Sequence, residues 1–184
     1  KEQDQKEKPE KEAEVLFPET KSNDSKQNVP AVESSVEKSF QLFMEKAEKE
    51  GNAVWQKSAE ERQNIQAPVL IYKDKEGNDK AFYPPTVNTL PAIQHQLNMK
   101  SKDPRWIAVK DVRETPNISI RKGAKAVEFV LFTKDKKMYT KKFFNMEDVF
   151  GKGGSTFTPT PDVRREMYVH DMMNYLATRA VYEP

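Results

Sequence analysis

Residues 119–144 read SIRKGAKAVEFVLFTKDKKMYTKKFF, and this stretch predicts two β-strands joined by a polar turn. Residues 125–133 and 138–144 carry the β-branched and aromatic side chains that favour strands, and KDKK between them is typical of a turn. Phe129 and Phe132 are three positions apart, so a strand places them on opposite faces. The pattern therefore predicts a sheet with one phenylalanine in the core and the other facing outward.

Two helical patterns lie in the first third of the chain. Residues 34–50 begin with the capping-box pair Ser34 and Glu37, and Gly51 is a suitable C-terminal stop. Phe43, Met44 and Ala47 fall on one face of this predicted helix, as do Val36 and Phe40. Residues 58–66 repeat the capping box and predict a second, short helix.

The middle of the chain predicts a hairpin followed by two helices. Residues 69–83 contain two short strand patterns around the turn KEGND, and residues 87–97 have an apolar helical face. Asp103 suits a helix N-cap and Pro104 suits the first helical position. These residues predict a fourth helix that carries Trp106.

The last part of the chain predicts a third strand region, a capped turn and a long helix. Residues 118–120 favour a short strand, and Asn145 is placed to cap a single turn that ends at Gly151. The helical pattern that starts at residue 162 has four candidate inner positions, which are Val163, Met167, Met172 and Leu176.

These elements predict an α+β fold in which helices pack on a small, mainly antiparallel sheet. Residues 34–151 form the predicted domain, and residues 1–33 form a charged tail with too few apolar groups to order itself. Residues 152–161 have the glycine and proline content of a linker. Residues 162–184 form the predicted C-terminal helix.

Positive charge is concentrated in one block of a nearly balanced chain. The 184 residues contain 31 basic and 29 acidic side chains, whereas residues 102–142 contain 12 basic and 5 acidic ones. This block therefore carries a net charge of +7, within a chain whose formal charge is +2. Phe129, Phe132, Tyr139, Phe143 and Phe144 lie within it or directly after it, and single-stranded nucleic acid is bound by cations together with flat aromatic faces.

Two interpretations of this block remain open from the residues alone. A lysine-rich strand is also an ordinary way to protect the edge of a sheet, and Gly123 in RKGAK can simply allow a turn. The alternative is that the turn exposes backbone N–H groups, and that Arg121, Lys122 and Lys125 complete a seat for phosphate.

Several functional classes have no support in the sequence. There is no cysteine, no phosphate-binding P-loop and no GxSxG nucleophile motif, and His95 and His170 are far apart. We therefore expect no enzyme activity, no cofactor and no metal. The chain has no apolar run long enough to span a membrane, and we expect it to be cytoplasmic.

Four segments in a fixed order resemble the N-terminal domain of ArdC-type antirestriction proteins. They contain Tyr83 and Asn88, then Trp106 and Lys110, then the RKGAK turn, and finally FNMEDVFG from Phe144 to Gly151. Proteins of this family come from bacterial plasmids and conjugative elements. The resemblance implies a non-enzymatic module that binds single-stranded DNA, with room for a further domain or protein partner outside this chain.

The resemblance and the basic block together give a set of candidate DNA-binding residues. Tyr83, Trp106 and Tyr139 are the candidates for stacking on bases, and Asn88 is a candidate for a helix cap or a base contact. The candidate phosphate ligands are Arg105, Lys110, Arg121, Lys122, Lys125, Lys141 and Lys142.

The sequence also departs from the family pattern near these residues. Thr86 and Val87 precede Asn88 where the family has a glycine, and Ala108 and Asp111 replace the usual hydroxyl and glutamine of the tryptophan segment. The HExxH motif of the zinc domain that often follows in the family is missing. An alternative prediction is therefore a protein-interaction domain that keeps the fold without binding DNA.

Overall fold

The structure of the protein is a computed structural model, and it describes residue 38 and residues 41–182. The predicted tail lies outside the described residues, as do Ser34, Glu37, Val36 and Phe40 at the start of the first predicted helix. The described part confirms the α+β class, with helices packed around a five-stranded sheet and a long helix at the C-terminal end.

The central sheet has five strands, and most of its pairs are antiparallel. The strands are β1 (Val69–Lys73), β2 (Asp79–Phe82), β3 (Arg105–Ala108), β5 (Val127–Phe132) and β6 (Met138–Asn145). Their order is β2-β1-β3-β6-β5, and only the β1–β3 pair is parallel. The two shorter strands, β4 (Ser119–Ile120) and β7 (Val149–Phe150), pair separately as a small antiparallel sheet.

Five α-helices lie in the described part of the chain. They are α1 (residues 41–49), α2 (Ala59–Gln63), α3 (Thr89–Asn98), α4 (Val109–Glu114) and α5 (Val163–Tyr182). Three single 3₁₀ turns, at Val54–Gln56, Thr86–Asn88 and Met146–Asp148, connect them to the strands. The side-chain oxygen of Asn145 accepts a hydrogen bond from the backbone N–H of Glu147 at 3.0 Å, which confirms the predicted cap.

The two faces of the sheet are covered by different elements. On one face, Leu70, Phe129 and Phe143 form a core cluster with Ala92 of α3. On the other face, strand side chains including Ile71 and Ile107 pack with Val112 of α4. A third cluster, made of Val54, Ala67, Ile93, Val169 and Met173, joins α3 to α5.

The predicted fourth helix at Asp103 and Pro104 is wrong. Residues Arg105–Ala108 form β3 instead, and the helix begins later, at Val109. A short apolar run is compatible with either a buried strand or a helix, because it is too short to show the residue spacing typical of one of them. Here the pairing with β1 and β6 decides the conformation. The carboxylate of Asp103 accepts a hydrogen bond from the backbone N–H of Arg105 at 3.0 Å, so it directs the chain into the strand.

The C-terminal helix is present, but two of its predicted inner positions face outward. Val163 and Met167 are exposed, whereas Val169 and Met173 are fully buried. This rotation packs Val169 and Met173 against Val54 and Ile93, and it lets the Glu166 carboxylate accept a hydrogen bond from the backbone N–H of Ala67 at 3.0 Å. The spacing of apolar residues along the helix gives no sign of this polar contact, because Ala67 and Glu166 are far apart in the chain.

The glycine-rich segment after β7 lies against the sheet. The guanidinium of Arg105 donates hydrogen bonds to the carbonyl oxygens of Ser155 and Phe157, at 2.8 Å and 3.1 Å. A Cβ atom at Gly153 would lie 2.1 Å from the carbonyl oxygen of Pro116, so only glycine fits there without a shift of the backbone.

Within residue 38 and residues 41–182, no helix has the length and apolar character needed to cross a membrane.

Candidate nucleic-acid interface

A groove of about 600 Å³ lies between α1, α3 and the turn at residues 121–125. Four cations line it: Lys46 on α1, and Arg121, Lys122 and Lys125 on the turn. All four side chains are exposed. We call this feature the basic groove, and it is the place where three of the predicted phosphate ligands come together.

The turn is held in place by the 3₁₀ turn that follows β6. The backbone N–H of Arg121 donates to the carbonyl oxygen of Asp148 at 2.8 Å, and its guanidinium donates to the carbonyl oxygen of Glu147 at 3.1 Å. The carboxylate of Asp148 also lies 3.9 Å from the Arg121 Nε atom. Burial raises the pKa of Asp148, and the positive charge of Arg121 opposes that shift. Arg121 is therefore anchored at the rim, with much of its guanidinium still in solvent.

Gly123 has a positive φ of +82°, which is a conformation that glycine adopts readily in a turn. A Cβ atom built there meets no atom within 4 Å, so a substitution costs only backbone strain. Replacing Gly123 with valine should lower the free energy of unfolding by about 1–3 kcal/mol, because β-branched residues rarely adopt this conformation.

Chemical denaturation of Gly123→Val measures this effect, and Lys122→Val is the matched control in the same turn. The control should change the free energy of unfolding by less than about 0.5 kcal/mol, as expected for an exposed position. Equal losses in the two variants would show that the turn does not depend on the positive φ.

Tyr139 and Lys141 lie on the β5–β6 ribbon, whose first β5 residue, Val127, lines the groove. β3 ends opposite Phe143, and residues 138–142 continue beyond that point paired with β5. By strand alternation, Tyr139 and Lys141 share a sheet face with Phe143, the face against which α3 packs. Both side chains are exposed, so they remain candidates for contact with a bound strand.

Trp106 is a core residue and not a stacking surface. It is fully buried, and its ring lies 5.3 Å from the ring of Phe129 and 5.6 Å from that of His95. Its indole N–H donates to the side-chain oxygen of Gln96 at 3.2 Å. The indole has no face open to a ligand, so the predicted role in base stacking is wrong for the folded protein.

Asn88 also has a structural role. Its side chain accepts a hydrogen bond from the backbone N–H of Val130 at 2.7 Å and donates to the carbonyl oxygens of Val130 and Pro85 at 2.9 Å. The buried amide therefore pairs with the outer edge of β5. It makes no side-chain cap on α3, so both predicted roles are replaced by a third.

Arg105 and Tyr83 tie the C-terminal segments to the sheet. Besides its bonds to the segment after β7, Arg105 forms an ion pair of 2.7 Å with Asp103. That hydrogen-bonded pair is the main cause of the raised pKa of Arg105, against an opposing effect of burial. The Tyr83 hydroxyl accepts a hydrogen bond from the backbone N–H of Asp162 at 2.9 Å, and Arg165 lies over its ring. Both side chains therefore make contacts within the protein in this structure.

Lys110 and Lys142 lie away from the groove lining. Lys110 is half-buried on α4, and Lys142 is buried opposite Glu128 in the β5–β6 pair. Lys142 and Glu128 both take part in further interactions within the protein. The structure thus brings together Arg121, Lys122 and Lys125, with Tyr139 and Lys141 on the neighbouring ribbon.

Sequence reasoning missed three contributors to this surface. Lys46 lines the groove from α1, and His95 and Asn98 line it from α3. His95 lies within the helical pattern of residues 87–97, and its ring is half-buried between Trp106 and the groove. The i, i+3 spacing of His95 and Asn98 on a predicted helix is the one signal that could have paired them.

Burial, aided by the charge of Lys125, lowers the pKa of His95 from 6.5 to about 4. The unfolded chain therefore takes up a proton at pH values where the folded protein does not. Stability contributed by neutral His95 should be present above pH 6.5 and lost as the pH falls towards 4, by up to about 3 kcal/mol.

Urea unfolding of the protein and of His95→Gln, measured between pH 7 and pH 4, tests this shift. The difference in free energy of unfolding between the two proteins should change across that range. Parallel curves for the two proteins would mean that His95 titrates normally in the folded state.

The described residues contain no group of three or more histidine, cysteine, aspartate or glutamate side chains that could hold a metal ion.

Comparison with known proteins gives one structural likeness. No family model matches the chain, and no curated protein does either. The chain is similar to the crystal structure of the antirestriction protein ArdC from plasmid R388, in its metal-free form. The match covers 68% of this chain and 47% of that one, with 13% sequence identity and a TM-score of 0.35. The chain thus spans about half the length of ArdC, and a likeness at this level carries no argument about function.

Proposed function

We propose that the protein is a non-enzymatic module that binds single-stranded DNA through the basic groove. The observation that carries the proposal is the convergence of Lys46, Arg121, Lys122 and Lys125 on one concave surface. Glu50 and Asp148 line the same groove, where Glu50 lies 4.0 Å from Lys46 and Asp148 lies 3.9 Å from Arg121, whereas Lys122 and Lys125 add two further positive charges. The surface therefore keeps an excess of positive charge, which is what phosphodiester binding requires.

Exposed aromatic side chains favour a single strand over a duplex. Such a ring is Tyr139 on the β5–β6 ribbon, which is 44% exposed and shares a sheet face with the groove-lining Val127. Unpaired bases can stack on such rings, whereas the bases of a duplex are already stacked on each other. The motif resemblance implies a role in a mobile genetic element, and a preference for single-stranded DNA is consistent with that role.

A salt-dependent titration tests the proposal. Fluorescence anisotropy with a labelled 12-nucleotide strand should show binding at low salt, and a duplex of the same sequence should bind more weakly. If three or four phosphates are neutralised, log affinity should fall with log salt with a slope of about −2 to −3. No binding of the single strand at low salt, or tighter binding of the duplex, would contradict the proposal.

A protein-interaction role is the second candidate, and the outer face of α5 favours it. Val163, Met167, Tyr168 and Tyr175 are exposed on this helix, on the side turned away from Val169 and Met173. Exposed apolar side chains that share one face are typical of contact surfaces. Absence of DNA binding, combined with self-association that is lost when Met167 and Tyr175 are replaced by serine, would favour this candidate.

A further inference from the structure

The basic groove has more than the chemistry needed for a phosphate. Besides its cations, it is lined by the apolar side chains of Phe43, Pro91, Met99 and Val127. A phosphate alone would leave these groups in contact with water, and a volume of about 600 Å³ is in the range that holds a whole small molecule. The groove therefore suits a ligand with an anionic end and a flat, largely apolar body.

Two polar side chains of α3 lie within the same groove. The Asn98 side-chain oxygen accepts hydrogen bonds from Asn52 and Gln94, at 2.6 Å and 3.0 Å, and these bonds fix the amide. Asn98 is exposed and lines the groove, so its NH₂ group is a candidate donor to a ligand. His95 offers one N–H group and one acceptor nitrogen, because its lowered pKa of about 4 keeps the imidazole uncharged at neutral pH.

We infer that the basic groove holds one unpaired base of the bound strand, with the adjacent phosphate on Arg121, Lys122 and Lys125. The base lies on the apolar lining that includes Phe43, and its edge faces His95 and Asn98. This inference rests on the proposed function and adds to it. The positive charges alone account for contacts with the DNA backbone, and the inference adds a binding site for a base.

A strand without bases, combined with a substitution at Phe43 in the groove, separates this inference from the proposed function. We compare a 12-nucleotide thymidine strand with a strand of the same length made of abasic phosphodiester units. The phosphate number is the same, so the slope of log affinity against log salt should be similar for the two strands. The affinity of the abasic strand should be at least about tenfold lower, because the contribution of a base in contact with an aromatic side chain is lost.

Phe43→Ala locates the effect, and Leu42→Ala is its matched control. Leu42 is the neighbouring apolar residue on α1, but it is 67% exposed and does not line the groove. Phe43→Ala should weaken binding of the thymidine strand by about fivefold or more and leave binding of the abasic strand unchanged. Leu42→Ala should change neither affinity.

The outcomes distinguish the two proposals. Equal affinities for the thymidine and abasic strands would overturn the base site and leave the single-strand function standing. An equal loss for both strands in Phe43→Ala would overturn it as well, because the effect would then lie in the backbone contacts or the fold. Failure of both strands to bind at low salt would remove the proposed function, and the base site with it.

Discussion

Replacing Arg121, Lys122 and Lys125 together with glutamine should lower the affinity for a single strand by at least about tenfold at low salt. The three side chains line one groove and are exposed to solvent, where a phosphate can reach them. Hydrogen bonds to charged groups contribute about 1.5–3 kcal/mol each when fully formed, and part of this is lost to solvent screening. The slope of log affinity against log salt should also become flatter, by about 0.7 for each phosphate contact removed.

The triple variant should fold normally, since these charges make few contacts inside the protein. Arg121 is the exception, with its bond to Glu147 and its proximity to Asp148, so circular dichroism and the free energy of unfolding are measured alongside binding. A fully folded variant with unchanged affinity and unchanged slope would reduce RKGAK to a turn without a binding role.

The ribbon tip provides a control with the same loss of charge. Lys134, Lys136 and Lys137 are exposed, belong to the same basic block and lie outside the groove. Replacing these three with glutamine lowers the net charge by the same amount and tests for a general electrostatic effect. We expect a change of less than about threefold, and a loss as large as that of the groove variant would mean that the whole block attracts DNA without a defined site.

The sequence predicted the parts of this surface that depend on local chemistry. Gly123 in a basic turn, the two strands of the ribbon and the Asn145 cap all follow from residues within a few positions of each other. Strand alternation alone predicts that Phe129 and Phe132 lie on opposite faces, and the structure shows that Phe129 is the buried one. Such features need no knowledge of which elements meet in space.

The failed predictions have a common physical cause, which is contact between residues far apart in the chain. Asn88 binds the backbone of Val130, and Glu166 binds the backbone of Ala67, across separations that no local pattern encodes. A polar residue on a helix or a loop looks available to a ligand until its distant partner is known. The wall of the groove formed by α1 and α3 was not predictable for the same reason.

The tryptophan segment shows how one wrong conformation also produced a wrong function. An assignment of Trp106 to a short helix leaves its ring on a surface, where stacking on DNA is plausible. In β3 the same ring faces the core and contacts Phe129. Asp103 and Pro104 are good helix starters, but a central strand paired on both sides outweighs that local preference.

Replacing Trp106 with alanine should therefore lower the free energy of unfolding by about 3–5 kcal/mol, the usual cost of removing a large aromatic side chain from a core. That loss is a large fraction of the stability of a small domain, so part of the variant is expected to be unfolded at room temperature. Urea unfolding followed by circular dichroism measures the loss. Phe132→Ala on β5 is the matched control, because its ring is 52% exposed and its removal should cost less than about 1 kcal/mol.

Trp106→Phe separates the core role from the stacking role that the family resemblance implies. It keeps an aromatic ring but removes the indole N–H, which leaves the buried Gln96 oxygen without this donor and should cost about 1–3 kcal/mol. Because the ring has no open face, the folded variant should bind a single strand with an affinity within about twofold of the original. The opposite pattern, a stable variant that binds DNA at least tenfold more weakly, would show that Trp106 contacts the bound strand. The core of the sheet would then have to open on binding, since Phe129 and His95 flank the indole in the free protein.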